Sequence, residues 1–119
     1  MDNRLNIIAQ MLELGENVLE GLEHICNKVK QGNAGQTMSL MEDILEAFGS
    51  LESAVLLVYQ ENSEALAGMT AELKGSFNRL VDAYEGNNEL EILNVIHSNV
   101  IPGYKSWLKC LKNELSQVN

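Results

Sequence analysis

Apolar side chains in the first quarter of the chain recur at alternating spacings of three and four residues, which places them on one face of a helix. Two rows follow a repeat of seven residues: Leu5, Leu12, Leu19 and Cys26, and then Ile8, Gly15, Leu22 and Val29. A second apolar flank widens this face, as is typical of a bundle helix that packs against two or more neighbours. The pattern predicts a helix over about residues 3–31, ended by Gly32 in the left-handed conformation.

The same spacing recurs in three later segments and predicts further helices over about residues 37–60, 63–86 and 88–117. The second helix is preceded by residues of the type that cap helices. Thr37 or Ser39 is its expected N-cap, because Ser39 and Glu42 have the spacing of a capping box.

The junction between the second and third helices has two candidate positions. A break near residues 60–64 would use Ser63 as a cap, and a break near residues 67–70 would use Gly68 and Thr70. Without either break, the two segments would form one helix of roughly 75 Å, which only a dimer could bury. We favour the break near residues 60–64.

The fourth helix has the clearest start and an irregularity in its middle. Gly86 is expected to end the third helix, and Asn88 with Glu91 forms a capping box that opens the fourth. Pro102 supplies no amide hydrogen for the carbonyl of Ser98, which predicts a kink near Pro102. The inward row, with Trp107 as its buried anchor, is expected to be Leu90, Leu93, His97, Val100, Tyr104, Trp107 and Leu111.

These segments together predict an all-α fold, with residues 1–119 forming a single domain. Apolar residues make up 45% of the chain and there is a single Pro, so the chain has enough apolar surface for a core and few helix breakers. The three connections are short, which favours antiparallel up-down-up-down packing in a four-helix bundle. The fourth helix would be kinked near Pro102.

The charge balance excludes several classes of partner. Eight basic residues against 17 acidic ones give a net charge of −9, which repels nucleic acid and anionic membrane surfaces. The longest apolar run, Ala54 to Tyr59, is far shorter than the roughly 20 residues of a membrane span. The first residues lack the basic and apolar regions of a signal peptide, so we expect a cytoplasmic protein in which Cys26 and Cys110 are free thiols.

The residues needed for catalysis or metal binding do not occur at the required spacings. Di-metal helical bundles use Glu-x-x-His, but Gly21 and Asn94 stand three residues before the two histidines, His24 and His97. We therefore expect no enzyme activity, no catalytic residue, no metal site and no cofactor. A histidine phosphotransfer bundle is a weaker alternative, because Lys28 lies one position too far from His24 and no glycine follows it.

Two pairs of apolar residues fall outside the predicted core rows and are the candidate partner-binding residues: Leu56, Leu57, Ile92 and Val95. Paired apolar side chains on an acidic helical surface indicate a groove for a helix or an extended peptide, or the contact face of a homodimer. The second and fourth helices would lie diagonally in the bundle. A long partner segment that wraps the bundle would therefore be needed to cover both pairs.

Four stretches give the chain a resemblance to a known family: Met11-Leu-Glu-Leu-Gly15, Asp43-Ile-Leu-Glu-Ala-Phe-Gly-Ser-Leu51, Phe77-Asn-Arg-Leu80, and Glu91-Ile-Leu93 at a distance before Trp107. In residue types and in their order along the chain, these stretches resemble the flagellin-specific export chaperones of bacterial flagellar assembly. The resemblance spans about residues 11–107. The chain departs from the family at Glu13 and Leu14, where the family has a Tyr-Asp pair, and in the connection between the second and third helices.

The resemblance implies a non-catalytic chaperone or adaptor that holds the extended or helical segment of a secreted, flagellar-type subunit. Such a protein gains affinity from apolar burial and loses part of it in ordering the bound segment. The alternative is a helical dimerisation or interaction protein of unknown role.

Overall fold

All regular secondary structure in the described part of the chain is helical, which confirms the predicted all-α class. The computed structural model describes the backbone of residues 3–58 and 64–116, and the side chains of residues 6–55 and 64–115. Its α-helices are α1 (Asn3–Lys30), α2 (Met38–Val58), α3 (Glu64–Glu85), α4 (Glu89–Val95) and α5 (Ile101–Ser116). None of these helices combines the length and the hydropathy required to cross a membrane.

Gly32 ends α1 as the sequence predicts. Its φ of 82° lies in the left-handed region, its amide donates to the carbonyl of Val29 at 3.0 Å, and the amide of Asn33 donates to that of Lys28 at 2.9 Å. These are the two hydrogen bonds of a Schellman motif, and they satisfy carbonyls that the helix end leaves without partners.

The start of α2 differs from the prediction. A 3₁₀ turn (Ala34–Thr37) continues into α2 without a break, so Ser39 lies inside the helix and the predicted capping box is wrong. The hydroxyl of Thr37 donates to the carbonyl of Ala34 at 2.6 Å instead of accepting from an α2 amide. The 3₁₀ turn therefore leads into α2 at the point where the sequence predicts a side-chain cap.

The break between α2 and α3 falls between Val58 and Glu64, which agrees with the favoured position. α3 continues through Gly68 and Thr70, so the alternative break near residues 67–70 is wrong. The predicted cap, Ser63, lies outside the described residues.

Two asparagines form the turn between α3 and α4. Asn87, with φ of 53°, is the left-handed residue, and its amide donates to the carbonyl of Tyr84 at 3.0 Å. Gly86, the predicted terminator, precedes this position, and asparagine fills it because its side chain tolerates left-handed backbone. The side chain of Asn88 accepts from the amide of Glu91 at 3.1 Å, which confirms the predicted N-cap of α4.

A π-helical turn (Ile96–Val100) joins α4 to α5 directly before Pro102, where the sequence predicts a kink. The amide of Ile101 donates to the carbonyl of Ile96, five residues back, so this turn holds one residue more than an α-helical turn. Because Pro102 has no amide hydrogen and its ring crowds the carbonyl four residues back, a wider turn at this point relieves the conflict.

The extra residue changes which side of the helix faces the core. The twelve steps from Ile92 to Tyr104 would overshoot three turns of α-helix by about 120°, and one inserted residue removes about 100° of that overshoot. Four-residue spacing therefore keeps one line of side chains buried through the turn: Ile92, Ile96, Val100, Tyr104 and Leu108.

The predicted inward row of the fourth helix is therefore correct from Val100 onward and wrong for the residues before it. Val100, Tyr104, Trp107 and Leu111 are buried as expected. Upstream, Leu90 is 81% exposed, His97 is exposed and Leu93 is half-buried. The prediction assumes 3.6 residues per turn throughout, whereas the π turn contains more.

An aromatic cluster occupies the middle of the core and connects three helices. The ring of Phe48 lies 5.2 Å from that of Phe77 and 5.1 Å from that of Trp107, and Tyr104 lies 5.6 Å from Trp107, all measured between centroids. The indole of Trp107 donates to the hydroxyl of Thr70 at 2.8 Å. Trp107 is 1% exposed, which confirms its predicted burial.

Gly15 lies where α1 packs against α5. The hydroxyl of Tyr104 donates to the carbonyl of Gly15 at 2.8 Å across the two helices. A Cβ at position 15 would lie 2.8 Å from Cδ1 of Leu108, which is too close for any side chain to fit without movement. A glycine at this position leaves room for the side chain of Leu108 beside the hydrogen bond of Tyr104.

The helices share one core cluster of buried side chains. α1 contacts α2, α4 and α5, α3 contacts α4 and α5, and the Phe48–Phe77 ring pair connects α2 to α3. Cys26 is buried, Cys110 is half-buried, and both are free thiols as the sequence predicts. Burial, together with the negative charge of Glu114, raises the pKa of the Cys110 thiol.

Replacing Trp107 should separate ring packing from hydrogen bonding. Trp107→Ala is expected to lower the free energy of unfolding by about 3–5 kcal/mol, because it removes the ring that contacts Phe48 and Tyr104. Trp107→Phe keeps an aromatic ring and loses the bond to Thr70, so a smaller loss is expected. Urea denaturation measures both, and an unchanged midpoint in Trp107→Ala would contradict the central position of this ring.

The buried tyrosines should make the protein sensitive to alkali. Burial, reinforced by the charge of Glu16, raises the pKa of Tyr104 above its ordinary value of 10.0. The unfolded chain therefore releases this proton at lower pH than the folded chain, and the free energy of unfolding should fall as pH rises above about 10. Tyr104→Phe should reduce this alkaline loss, measured as urea midpoints over a pH series. An identical loss in both proteins would contradict the assignment.

Candidate functional site

The structure does not expose the partner-binding residues that the sequence predicts on the fourth helix. Ile92 and Val95 are each 2% exposed and belong to the core, so their expected surface position is wrong. The π turn is the cause, because its extra residue rotates α4 and brings these two side chains inward. Leu56 and Leu57 lie in α2, but their side chains lie outside the described residues.

Two other apolar side chains are exposed and lie near each other at one end of the molecule. Leu90 is 81% exposed in the first turn of α4, and Met38 is 43% exposed at the first residue of α2. The rotation that buries Ile92 turns Leu90 outward. The sequence contained a signal for this exposure, since Pro102 marks where the 3.6-residue period had to fail, but periodicity alone assigned Leu90 to the core.

These two residues line an open cleft of about 680 Å³ between the α1–α2 connection and the α3–α4 connection, which we call the end cleft. Its lining is Ala34, Gly35, Met38, Tyr84, Gly86, Asn87, Asn88, Glu89, Leu90 and Ile92. The volume lies within the range of ligand-binding clefts. Its walls are the two connections and the first turns of α2 and α4 that follow them.

A buried hydrogen bond connects the two sides of the end cleft. The hydroxyls of Thr37 and Tyr84 lie 2.6 Å apart, and since Thr37 gives its proton to Ala34, Tyr84 is the donor to Thr37. Burial raises the pKa of Tyr84, partly offset by the contact with Thr37, so its hydroxyl keeps the proton that this bond requires.

Two further depressions extend the end cleft along α4 and α5. The middle depression, of about 350 Å³, shares Leu90 with the end cleft and is lined by Lys30, Leu90, Leu93, Asn94, His97 and Ser98. The far depression, of about 490 Å³, shares Lys30 and His97 with the middle one and is lined by Glu23, Cys26, Asn27, Lys30, His97, Ile101, Pro102 and Lys105. We call the three together the long groove. Because neighbouring depressions share lining residues, the three follow one another from Met38 to Lys105.

The electrostatic character of the long groove changes along its length. The end cleft has Glu89 as its charged lining residue, whereas the far depression has Lys30, His97, Lys105 and one carboxylate, Glu23. In the part of the chain that the structure describes, the ion pairs are Lys74–Glu52 and Lys112–Glu16, both away from this groove. Neither lysine of the far depression is therefore paired with a described carboxylate.

Two other depressions lie outside the long groove. One, of about 620 Å³, lies between α3 and α5 on the other side of Pro102 and has a mixed polar and apolar lining that includes Arg79 and Asn99. The other, of about 210 Å³, lies between α2 and α3 over Trp107 and is flanked by the Lys74–Glu52 pair at 3.1 Å. The second is smaller than a typical ligand pocket.

The titratable side chains show no convergence of the kind that catalysis or metal binding needs. Among the residues that the structure describes, no three His, Cys, Asp or Glu side chains are grouped to hold a metal ion. His24 and Glu20 are exposed on α1. His97 is exposed in the long groove, where it was expected in the core.

Comparison with known proteins gives one match. Residues 6–110 match the profile of a family described as "Domain of unknown function (DUF8042)". No curated protein and no solved structure matches the chain.

The same substitution at two nearby positions, Leu90 and Ile92, should test the rotation of α4, because only one of the two is expected to destabilise the fold. Ile92→Asp places a charge in the core and is expected to cost about 3 kcal/mol or more. Leu90→Asp places the same charge at an exposed position in the first turn of α4, so the free energy of unfolding should change by less than about 0.5 kcal/mol. Urea denaturation followed by circular dichroism measures both. Loss of structure in Leu90→Asp would contradict the exposed position of Leu90 and show that it is a core residue.

Proposed function

This chain belongs to the DUF8042 family, and we propose that it is a non-catalytic protein that binds a segment of another protein in the long groove. The observation that carries the proposal is a row of three adjacent open depressions, two of which are lined by Leu90, a residue that is 81% exposed. An open, elongated groove fits an extended or helical segment better than an enclosed small molecule.

We infer that the framework of this groove is an antiparallel up-down-up-down four-helix bundle with α4, the π turn and α5 as its fourth member. Contacts between neighbours support it. Phe48 meets Phe77 while Glu52 meets Lys74, so residue numbers rise along α2 as they fall along α3. The same opposition joins α1 to α5, where Glu16 pairs with Lys112 while the later residue Lys30 shares a depression with Lys105.

The energetics of the groove favour a partner with apolar side chains at one end. Covering an exposed leucine contributes about 1.5–3 kcal/mol, and the thioether of Met38 adapts to partners of different shape. A segment that is disordered before binding must also be ordered, which consumes several kcal/mol of this gain. The several depressions of the long groove supply the additional contacts that such a segment requires.

The kind of partner follows from the resemblance to flagellin-specific export chaperones. We propose that the protein is cytoplasmic and holds the disordered segment of a secreted, flagellar-type subunit before export. The net charge of −9 supports the solubility that a carrier of an aggregation-prone segment needs. Self-association is the alternative, because a second copy could also cover Leu90 and Met38.

Substitution of Leu90 tests the proposal against a matched control. Leu90→Asp should weaken capture of the partner by about ten-fold, corresponding to an interface hot spot, without loss of stability. Ile7→Asp is the control, because Ile7 is another exposed apolar residue, 41% exposed on α1, that does not line the long groove. Capture is measured with both variants in host cells whose secreted proteins are retained in the cytoplasm.

The same variants separate the alternative. Partner capture that is equal in Leu90→Asp and Ile7→Asp would overturn the groove as the binding site. If sedimentation shows a wild-type dimer that Leu90→Asp converts to a folded monomer, with capture unchanged, the exposed residues serve self-association.

A further inference from the structure

We propose, resting on the function above, that the partner segment has acidic residues next to the apolar residues that contact Leu90, and that the carboxylates are bound by Lys30, His97 and Lys105. These three side chains line the far depression, and the first two also line the middle depression beside Leu90 and Leu93. The groove therefore presents apolar surface followed by a surface on which Lys30, His97 and Lys105 outnumber one carboxylate, Glu23. A complementary segment carries apolar side chains followed by Asp or Glu.

The distribution of charge over the chain makes this basic surface exceptional. The protein has 17 acidic and eight basic residues, and α2 contains four acidic residues and no basic one. α5 reverses the balance, with Lys105, Lys109 and Lys112 against Glu114 alone. α5 is thus a basic helix in a molecule that is otherwise acidic, and Lys105 is its lysine that lines the far depression.

The lysines of the far depression are available to a ligand. Lys30 and Lys105 are exposed, and no described carboxylate lies within ion-pair distance of either amino group. Lys30 also lies in the last turn of α1, where a cation stabilises the helix end. Lys28 lies in the same last turn but does not line the groove. Substituting Lys28 therefore tests the effect on the helix end separately from the effect on ligand binding.

An acidic polypeptide fits this charge pattern better than a nucleic acid does. A nucleic acid places a charge on every residue, and the net charge of −9 would repel the part that extends beyond the lysines. A peptide with a few carboxylates confines its charge to the far depression and places apolar side chains against Leu90. Electrostatic complementarity of this kind selects partners and accelerates their association.

Three synthetic peptides with the same two leucines and the same length test the proposal, differing only in having Glu, Gln or Lys at the positions that follow. Fluorescence anisotropy with the full chain at low salt should give the tightest binding for the Glu peptide, by about five-fold or more over the Gln peptide. Salt at about 1 M should abolish that preference, because the Debye length falls to about 3 Å.

Two matched pairs of substitutions assign the effect to the groove. The double variant Lys30→Gln with Lys105→Gln should weaken the Glu peptide by about five-fold and leave the Gln peptide unchanged. The control double variant, Lys28→Gln with Lys109→Gln, has the same change of net charge on the same two helices. It should change neither affinity by more than about two-fold.

Several outcomes would overturn the proposal. They are equal affinity for the Glu and Gln peptides, preference for the Lys peptide, binding of none of the three, or equal losses in the two double variants. Tighter binding of a single-stranded RNA oligonucleotide, lost in Lys30→Gln with Lys105→Gln, would assign the lysines to a nucleic acid instead. None of these results bears on the proposed function, which is judged by capture of the native partner in Leu90→Asp and Ile7→Asp.

Discussion

The missing amide hydrogen of Pro102 is the constraint on which the core and the surface both depend. It leaves the carbonyl of Ser98 without its α-helical donor, and the chain responds with a π turn over residues 96–100. One extra residue in that turn gives the two halves of the last helix different rotations. The half after the turn buries Trp107, and the half before it exposes Leu90 and lines the groove.

The rotation is absorbed by α4 because α5 is held by specific contacts on two sides. Tyr104 donates to the backbone of α1 at Gly15, and Trp107 donates to Thr70 on α3, so the side chains of α5 have little freedom to turn. α4 is only seven residues long and begins at an exposed turn, which makes it the less costly element to reposition.

Much of the fold could be predicted from the sequence, because helix periodicity, the Gly32 terminator, the Asn88 cap and the burial of Trp107 are local or short-range properties. The exposed residues could not be predicted from the periodicity. A π turn adds one residue without interrupting the helix, so a period fitted after Pro102 assigns Leu90 and His97 to the core and Ile92 to the surface. The start of α2 was mispredicted for a related reason, since a 3₁₀ turn satisfies by backbone geometry what Ser39 was expected to supply. The apolar periodicity shows which residues are apolar, and it does not show changes in the number of residues per turn.

The hydrogen bond between Thr37 and Tyr84 has a consequence for the cost of binding. It ties the α1–α2 connection to the end of α3 through two buried hydroxyls that are 47 residues apart in sequence. The two walls of the end cleft are thereby held at a fixed separation before any partner arrives. A cleft fixed in this way loses little conformational entropy on binding, so the ordering cost falls almost entirely on the partner segment. Discrimination among partners then rests on how well a segment matches a shape that already exists.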